Sequence, residues 1–161
     1  MCIRDRYKNG KKDMALVYSE KPCVTAGTFT TNKVFAAPVK WDRNIVYNED
    51  FAQAVVVNSG VANACTGVEG DNACAEEAKA VAKALNVLEN AVLIGSTGVI
   101  GMQLPVDRIC AGIEKLAPML DASLEAGTQA AEAIMTTDTR SKQVAVEVEV
   151  AGTKVTIGGM G

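Results

Sequence analysis

Aromatic side chains occur only in the first third of this chain. All seven lie between Tyr7 and Phe51, and the remaining 110 residues contain none. A core made from Ala, Val, Leu, Ile and Met alone allows neighbouring backbones to approach closely. Because 48% of the 161 residues are apolar, the chain can bury the core of one ordinary domain, or of a large piece of one. This composition excludes an intrinsically disordered chain.

Charge and histidine content exclude several classes of function. The chain has 16 Lys and Arg residues against 19 Asp and Glu, a net charge of −3, and its basic residues cluster only between Arg4 and Lys12. A nucleic-acid-binding protein is therefore not expected. The chain contains no histidine. That absence excludes Ser-His-Asp and Cys-His catalysis and the helical zinc-protease motif, so any proton transfer needs another base.

The cysteines and the hydropathy pattern indicate the cellular compartment. Five cysteines, at positions 2, 23, 65, 74 and 110, form no C-x-x-C pair. Their odd number and their spacing predict neither a disulfide framework nor a metal site, and a reducing, cytoplasmic compartment is expected. No apolar run approaches the roughly 20 residues that cross a bilayer, and the N-terminus lacks a signal-peptide pattern, so no membrane association is expected.

The first third is predicted to be rich in strands. The β-branched and aromatic runs Asp13 to Ser19 and Val24 to Thr31 indicate two strands, joined by a turn at Glu20-Lys21-Pro22. Two further runs, Val34 to Val39 and Arg43 to Tyr47, are predicted to continue the sheet.

Strands that lead through a glycine-containing loop into a helix come next. Ala54 to Val57 is predicted to be a buried strand, followed by a polar loop from Asn58 to Asp71. Asp71 or Asn72 is predicted to cap a helix that runs to about Leu85.

The same order then recurs. Ala91 to Ile94 is predicted to be a second buried strand, with a glycine turn from Gly95 to Gly101 and a helix from Val106 to Leu116. Leu124 to Met135 is predicted to be a helix, and Gln143 to Val150 a strand that pairs with Lys154 to Ile157. With no repeat and no linker, these elements predict one α+β unit.

The glycine turn from Gly95 to Gly101 is the first candidate site. Backbone N–H groups between a strand and a helix can bind an anion or a developing oxyanion. A dinucleotide site is the alternative, although the spacing G-x-x-G-x-x-G differs from G-x-G-x-x-G. Sharp turns also need glycine for purely structural reasons.

Other polar clusters favour a structural interpretation. The side chains of the loop from Asn58 to Gly67 are expected to bond the loop's own backbone. The carboxylate pairs Glu76-Glu77 and Glu147 with Glu149 are predicted to be ordinary charges on solvent faces. Thr136 follows a helix, where it either holds a small polar ligand or satisfies carbonyls at the helix end.

Six segments of the sequence together resemble a known family. They are Lys8 to Asp13, Ala26 to Asn32, Asn58 to Gly67, Ser96 to Pro105, Ile134 to Thr139 and Gly158 to Met160. In this order they are similar to segments of the ornithine acetyltransferase (bifunctional glutamate N-acetyltransferase) family of arginine biosynthesis. The resemblance covers residues 7–161 as the N-terminal, or alpha-chain, part of one domain, and residues 1–6 fit no part of it. It implies a layered α-β-β-α sandwich, incomplete in this chain.

The resemblance also implies a reaction and its residues. An acetyl group would pass from N-acetylornithine to glutamate through an acyl-threonine, and acetyl-CoA stays open as a second donor. Self-cleavage frees that threonine, whose α-amine, with an ordinary pKa of about 7.7 to 8.0, serves as the base. By resemblance, Thr97 and Gly98 form the oxyanion hole and Thr136 contacts the substrate. The resemblance implies no metal and no resident cofactor.

In the family pattern, the nucleophilic threonine and a substrate-binding lysine follow Gly161. The fragment alone is therefore expected to be inactive and to expose apolar surface. Its expected partners are the small-molecule substrates and the beta chain from the same precursor, in a heterotetramer. The alternatives are a nucleotide-binding oxidoreductase domain built on the turn from Gly95 to Gly101, and a non-catalytic subunit.

Overall fold

The computed structural model describes residues 2–4 and 12–161. The expectations about residues 1–6 and about the basic stretch 4–12 fall largely outside these residues. The helices and strands, in chain order, are β1 (Cys2–Arg4), β2 (Lys12–Cys23), α1 (Ala37–Asn48), β3 (Ala52–Val61), α2 (Gly67–Leu85), β4 (Val92–Val99), α3 (Val106–Leu116), α4 (Leu124–Ala133), β5 (Gln143–Val150) and β6 (Thr153–Met160).

Four strands form the main sheet, in the order β1-β2-β3-β4. Strands β2 and β3 are antiparallel, whereas β3 and β4 are parallel and aligned from Ala54↔Val92 to Val61↔Val99. A parallel pair needs a crossover connection, which here contains α2. Among the described strands, β4 forms one edge of this sheet and β1 the other.

Different helices pack on the two faces of the sheet. On the first face, side chains such as Val56 and Ile94 pack with Val81 of α2 and Ile113 of α3 in the main apolar core. On the second face, Ala15 of β2 packs against Ala130 and Ala133 of α4. We call the first the helical face and the second the open face, because its β3 and β4 part stays partly exposed.

Helix α1 attaches to the first half of β4. The indole Nε1 of Trp41 donates to the Val92 carbonyl at 2.9 Å, and the Ile94 N–H donates to Oδ1 of Asp42 at 2.8 Å. Burial raises the pKa of Asp42 to about 6, although the hydrogen bond from Ile94 acts in the opposite direction. Lys40 adds an ion pair to Asp71 of α2 at 2.6 Å. The open edge of β4 therefore begins after Ile94.

Most of the strand predictions for the first third are wrong. Strand β2 continues through Glu20-Lys21-Pro22, and Val24 to Thr31 forms neither helix nor strand. Val34 to Val39 and Arg43 to Tyr47 are not strands, because the later residues form α1. Burial of Ile45 and the anchoring of α1 by its own side chains outweigh local β propensity.

The elements from the middle of the chain onward are mostly confirmed. The α3 helix and the β5–β6 pair lie where the sequence predicts them. Helix α2 begins at Gly67, earlier than predicted, and ends before Asn86, which adopts the left-handed conformation at φ 56°. Strands β3 and β4 are longer than predicted and include much of the expected loop and glycine turn. Helices and strands together confirm the α+β class.

The β5–β6 pair has one apolar face and one polar face. Val146 pairs with Ile157 and Val148 with Val155, so these side chains share a face. Val146 is 49% exposed and Ile157 is 55% exposed.

Among the described residues, no helix has the length and apolar character needed to cross a membrane.

Candidate functional site

Thr97 and Gly98 lie near the end of β4, not in a turn between a strand and a helix. Gly98 has a φ of +130°, and a Cβ there would overlap the backbone of Gly60 on β3. This position therefore requires glycine, both for its conformation and for the close approach of the two strands. The predicted turn is wrong in its geometry because two glycines face each other across the strand pair, Gly60 and Gly98.

The hydrogen-bond pattern gives the direction of the Gly98 amide. The Val99 carbonyl accepts from the Ala62 N–H of the β3 side at 2.9 Å, whereas the Ile94 N–H turns away from β3 to Asp42. Alternate residues of a strand direct their N–H groups to the same side. Gly98 shares its side with Ile94, so its N–H faces the open edge of β4.

The loop after β3 holds Ser96, the neighbour of Thr97. Ser96 Oγ accepts from the Asn63 N–H at 2.9 Å and donates to the Val61 carbonyl at 3.2 Å. Asn63 Nδ2 donates to the Gly70 carbonyl at 2.9 Å, and Thr66 Oγ1 donates to Asn63 Oδ1 at 2.5 Å. Asn63 and Thr66 are buried. The predicted structural role of these loop side chains is confirmed.

Thr136 lies just beyond α4, and its side chain is exposed, as is that of Thr137 beside it. Buried Ser59, on β3, donates its hydroxyl to the carbonyl of Ala133 at the end of α4. Ser59 is also the strand partner of Thr97. The end of α4 and Thr97 thus meet at the same end of the open face.

A cleft of about 800 Å³ lies elsewhere, along α1. Lys40, Trp41, Asn44, Asp71 and Glu89 are among the residues that line it. Thr97, Gly98 and Thr136 do not line it. The candidate site is therefore separate from this cleft, with Thr97 and Gly98 partly exposed and Thr136 exposed.

Glu77 is a residue that the sequence placed incorrectly. It was expected on the solvent face with Glu76, but its side chain is fully buried in α2. Burial raises the pKa of its carboxyl group to about 8, and neither carboxyl oxygen has a hydrogen-bond partner among the described residues. Its position, three residues after buried Cys74, was the available signal. Glu76, Glu147 and Glu149 are exposed as predicted.

Two of the thiols, those of Cys74 and Cys110, lie in surroundings that disfavour the reactive thiolate. Burial, followed by the nearby carboxylates of Glu77, Asp42 and Asp71, raises the pKa of the Cys74 thiol to about 12. The pKa of Cys110 is also raised, chiefly by burial. In residues 12–161 no group of three or more His, Cys, Asp or Glu side chains could hold a metal ion.

Comparison with known proteins decides the family. The model of the ArgJ family matches residues 2–161. The chain belongs to the ArgJ family. It is 52% identical over 151 residues to the arginine biosynthesis bifunctional protein ArgJ of Symbiobacterium thermophilum, covering 94% of this chain and 37% of that protein. It is 44% identical over 159 residues to the ArgJ protein of Thermotoga neapolitana, covering 98% of this chain and 39% of that protein.

Two solved structures share the fold of this ArgJ chain. ArgJ from Bacillus halodurans matches with a TM-score of 0.90 and 38% identity, over 97% of this chain and 81% of that one. Ornithine acetyltransferase from Mycobacterium tuberculosis, complexed with ornithine, matches with a TM-score of 0.89 and 41% identity, over 95% and 80%. The expected family and its α+β fold are confirmed. The chain spans well under half the length of the curated ArgJ relatives, 37% in the first case.

The dinucleotide alternative loses its structural basis in this fold. Such a site needs a glycine turn that leads directly from a strand into a helix. Here Gly95 and Gly98 lie within β4, and α3 begins only at Val106. The ArgJ strand pair instead uses Gly98 for close contact with β3.

Proposed function

We propose that this chain is the N-terminal, alpha-chain part of an acetyltransferase of arginine biosynthesis. The complete enzyme would transfer an acetyl group from N-acetylornithine to glutamate, giving ornithine and N-acetylglutamate. Membership of the ArgJ family supports this proposal. So do the names of its relatives and the ornithine complex of the similar enzyme from Mycobacterium tuberculosis.

The arrangement of Thr97 and Gly98 carries the proposal. Acetyl transfer passes through tetrahedral intermediates with negative charge on oxygen, and fixed donors aimed at that oxygen lower the barrier. The Gly98 N–H faces the open edge of β4, as the ladder pattern indicates. Thr97 is partly exposed on the open face beside it. We assign the Gly98 N–H and the Thr97 hydroxyl as the two donors of an oxyanion hole.

The rest of the proposed reaction needs no histidine. The threonine nucleophile, supplied by the part of the family pattern that follows these residues, would attack the acetyl carbonyl of N-acetylornithine. Its own α-amine would accept the hydroxyl proton and pass it to the departing ornithine amine. The glutamate amine would then attack the acyl-threonine, and the α-amine would take the proton that this amine loses and pass it to the departing threonine oxygen.

Thr136 would contact the substrate at the same end of the open face. The hydrogen bond from Ser59 to Ala133 fixes the end of α4, three residues before Thr136. The missing walls of the pocket would come from the beta chain of the same precursor, in a heterotetramer. We assign no metal and no resident cofactor, and the same acyl-threonine would also accept an acetyl group from acetyl-CoA.

Replacement of one donor in the full-length enzyme tests the assignment. Thr97→Val removes the hydroxyl and keeps the side-chain shape. We expect kcat for acetyl transfer to fall by about 10²- to 10³-fold, the usual effect of losing one oxyanion donor. The matched control is Thr156→Val, on the exposed face of β6, which should leave kcat within about twofold. An unchanged kcat for Thr97→Val would refute the oxyanion hole.

Mass spectrometry of the full-length product tests the non-catalytic alternative. Two fragments that part immediately before a threonine would support a self-processed acetyltransferase. A single uncut chain would favour a non-catalytic subunit. This result is independent of the Thr97 assignment, because cleavage and turnover are measured separately.

A further inference from the structure

The direction of the Gly98 amide is not set by Gly98 itself. The residue has a φ of +130°, and glycine adopts many backbone conformations because it has no Cβ. A donor that stabilises an oxyanion must already point at the oxygen before the charge develops. Contacts from neighbouring residues must therefore fix the peptide that carries the Gly98 N–H.

Ser96, two residues before Gly98, binds the loop after β3 at two points. Its Oγ donates to the Val61 carbonyl at 3.2 Å and accepts from the Asn63 N–H at 2.9 Å. Val61 and Asn63 are both buried, so water has little access to replace these bonds. One hydroxyl thus joins β4, immediately before the pair Thr97 and Gly98, to a buried part of the chain.

Asn63 is in turn held by the first turns of α2. Its Nδ2 donates to the Gly70 carbonyl at 2.9 Å and to the sulfur of Cys74 at 3.3 Å, and its Oδ1 accepts from Thr66 Oγ1 at 2.5 Å. A Cβ at Gly70 would lie 2.4 Å from Asn63 Oδ1, so this amide packs closely on the helix. Because both ends of the amide are bonded, Asn63 has one orientation, and Ser96 is bonded to a rigid partner.

Backbone contacts fix β4 around and after Gly98. The Ala62 N–H donates to the Val99 carbonyl at 2.9 Å, and the backbone of Gly60 lies directly against Gly98. Gly98 is therefore bracketed by bonds at Ser96 and at Val99. Of these contacts, only that of Ser96 uses a side chain, so it is the one that a substitution removes.

We propose that Ser96 is a positioning residue of the acetyl-transfer site, whose hydroxyl ties β4 to Asn63 and so fixes the direction of the Gly98 N–H. This inference rests on the proposed function, in which that N–H is an oxyanion donor. Ser96 does not contact substrate in this scheme, because successive side chains of a strand point to opposite faces and Thr97 occupies the open face. Its loss should therefore affect the step in which charge develops more than substrate binding.

Substitutions of Ser96 in the full-length enzyme test this role. Ser96→Ala removes the hydroxyl, and we expect kcat to fall by about tenfold while KM for N-acetylornithine stays within about twofold. Ser96→Thr keeps the hydroxyl and should hold kcat within about threefold of the wild-type value. Ser96→Cys keeps the size of the side chain with a weaker hydrogen-bonding group, so its kcat should lie between those of wild type and Ser96→Ala. It also provides the measurement if Ser96→Ala does not fold.

Trp41→Phe is the matched control. It removes the 2.9 Å hydrogen bond to the Val92 carbonyl at the other end of β4, and so loosens the same strand away from Gly98. Its kcat should stay within about twofold of wild type, even where its stability falls. A kcat that falls no further in the Ser96 variants than in Trp41→Phe would overturn the positioning role.

Thr97→Val, measured beside these variants, separates the two proposals. If Thr97→Val lowers kcat and the Ser96 variants do not, the oxyanion hole stands and only the role of Ser96 is wrong. If Thr97→Val leaves kcat unchanged, the oxyanion hole is refuted, and the positioning role is refuted with it.

Discussion

At the scale of single residues, the carboxyl group of Glu77 is the strongest conflict between sequence and environment. It is fully buried, and both its oxygens lack partners among the described residues. A charged carboxylate in that position is costly, so the group holds its proton, and its pKa rises to about 8. The folded chain therefore keeps a proton near neutral pH that the unfolded chain releases.

This difference predicts a pH-dependent stability. The folded pKa of Glu77, about 8, lies above its ordinary value of 4.5. Its contribution is fully present below pH 4.5 and is lost as the pH rises through about 8. We expect the free energy of unfolding to fall by about 1 kcal/mol or more between pH 6.5 and 8.5, measured by urea denaturation. Glu77→Gln should remove this decline, since glutamine does not titrate.

The neighbouring Glu76 provides the control for Glu77. It lies on the same helix but is exposed, so Glu76→Gln should decline with pH like the wild type. Asp42, whose pKa is raised to about 6, acts in the same direction but mostly at lower pH. If the Glu77→Gln and wild-type curves run parallel from pH 6.5 to 8.5, Glu77 is not the titrating group.

The residue type and the position of Glu77 predict different environments. A glutamate is typical of a solvent face, whereas the spacing of Glu77 from Cys74 and Val81 places it on the buried side of α2. For Thr97, Gly98 and Thr136, position alone predicted no role, and the assignments came from similarity to a family. A hydrogen-bond donor can take part in catalysis only if it faces a substrate. Whether it does depends on how residues far apart in the chain pack together.

At the scale of elements, β4 shows why the prediction of a glycine turn from Gly95 to Gly101 is wrong. A glycine usually indicates a turn, because it weakens a strand that has nothing unusual to accommodate. Gly98 remains in a strand because its partner is Gly60, and the two backbones approach closely. That pairing cannot be read from either segment alone. The signal for α3, by contrast, is contained in one segment, because Pro105 suits the first turn of a helix, and the helix from Val106 to Leu116 is confirmed.

The junction between α4 and β3 depends on one hydroxyl group. Ser59 is fully buried and donates to the carbonyl of Ala133. Ser59→Ala leaves that carbonyl without this donor in a site closed to water. We expect a loss of about 1 to 3 kcal/mol in the free energy of unfolding, measured by chemical denaturation. Under the proposed function, KM of the full-length enzyme for its proposed substrate N-acetylornithine should also rise, because Thr136 follows the loosened helix end.

Ser19→Ala is the matched control for this junction. Its hydroxyl donates to the Lys21 carbonyl at 2.7 Å in an exposed stretch of β2, so its loss should change stability by less than about 0.5 kcal/mol. Equal effects of the two substitutions would show that the Ser59 hydrogen bond does not hold α4.

At the scale of the whole molecule, the structure leaves two apolar surfaces at least partly exposed. One is the β3 and β4 part of the open face, and the other is the valine-rich face of the β5–β6 pair. Among the described residues, β5 and β6 make their main contacts with each other. A two-stranded pair is at best marginally stable in water on its own. The chain spans 37% of the length of an ArgJ relative. Under the proposed function, in which this chain is the alpha-chain part of a longer enzyme, the remaining polypeptide would cover these surfaces.

A charge placed on either face of the β5–β6 pair tests this cover. Val146 belongs to the apolar face, and Ala145 beside it points to the opposite face, so Val146→Lys and Ala145→Lys introduce the same group on two sides. In the full-length protein we expect Val146→Lys to lower the free energy of unfolding by about 2 to 4 kcal/mol, because it buries an unpaired charge. Ala145→Lys should lower the free energy of unfolding by less than about 1 kcal/mol.

In the 161-residue chain, where Val146 is already 49% exposed, both substitutions should change the free energy of unfolding only slightly. Similar small effects of both substitutions in the full-length protein would mean that the valine face stays in water and that another surface joins the two parts of the ArgJ fold.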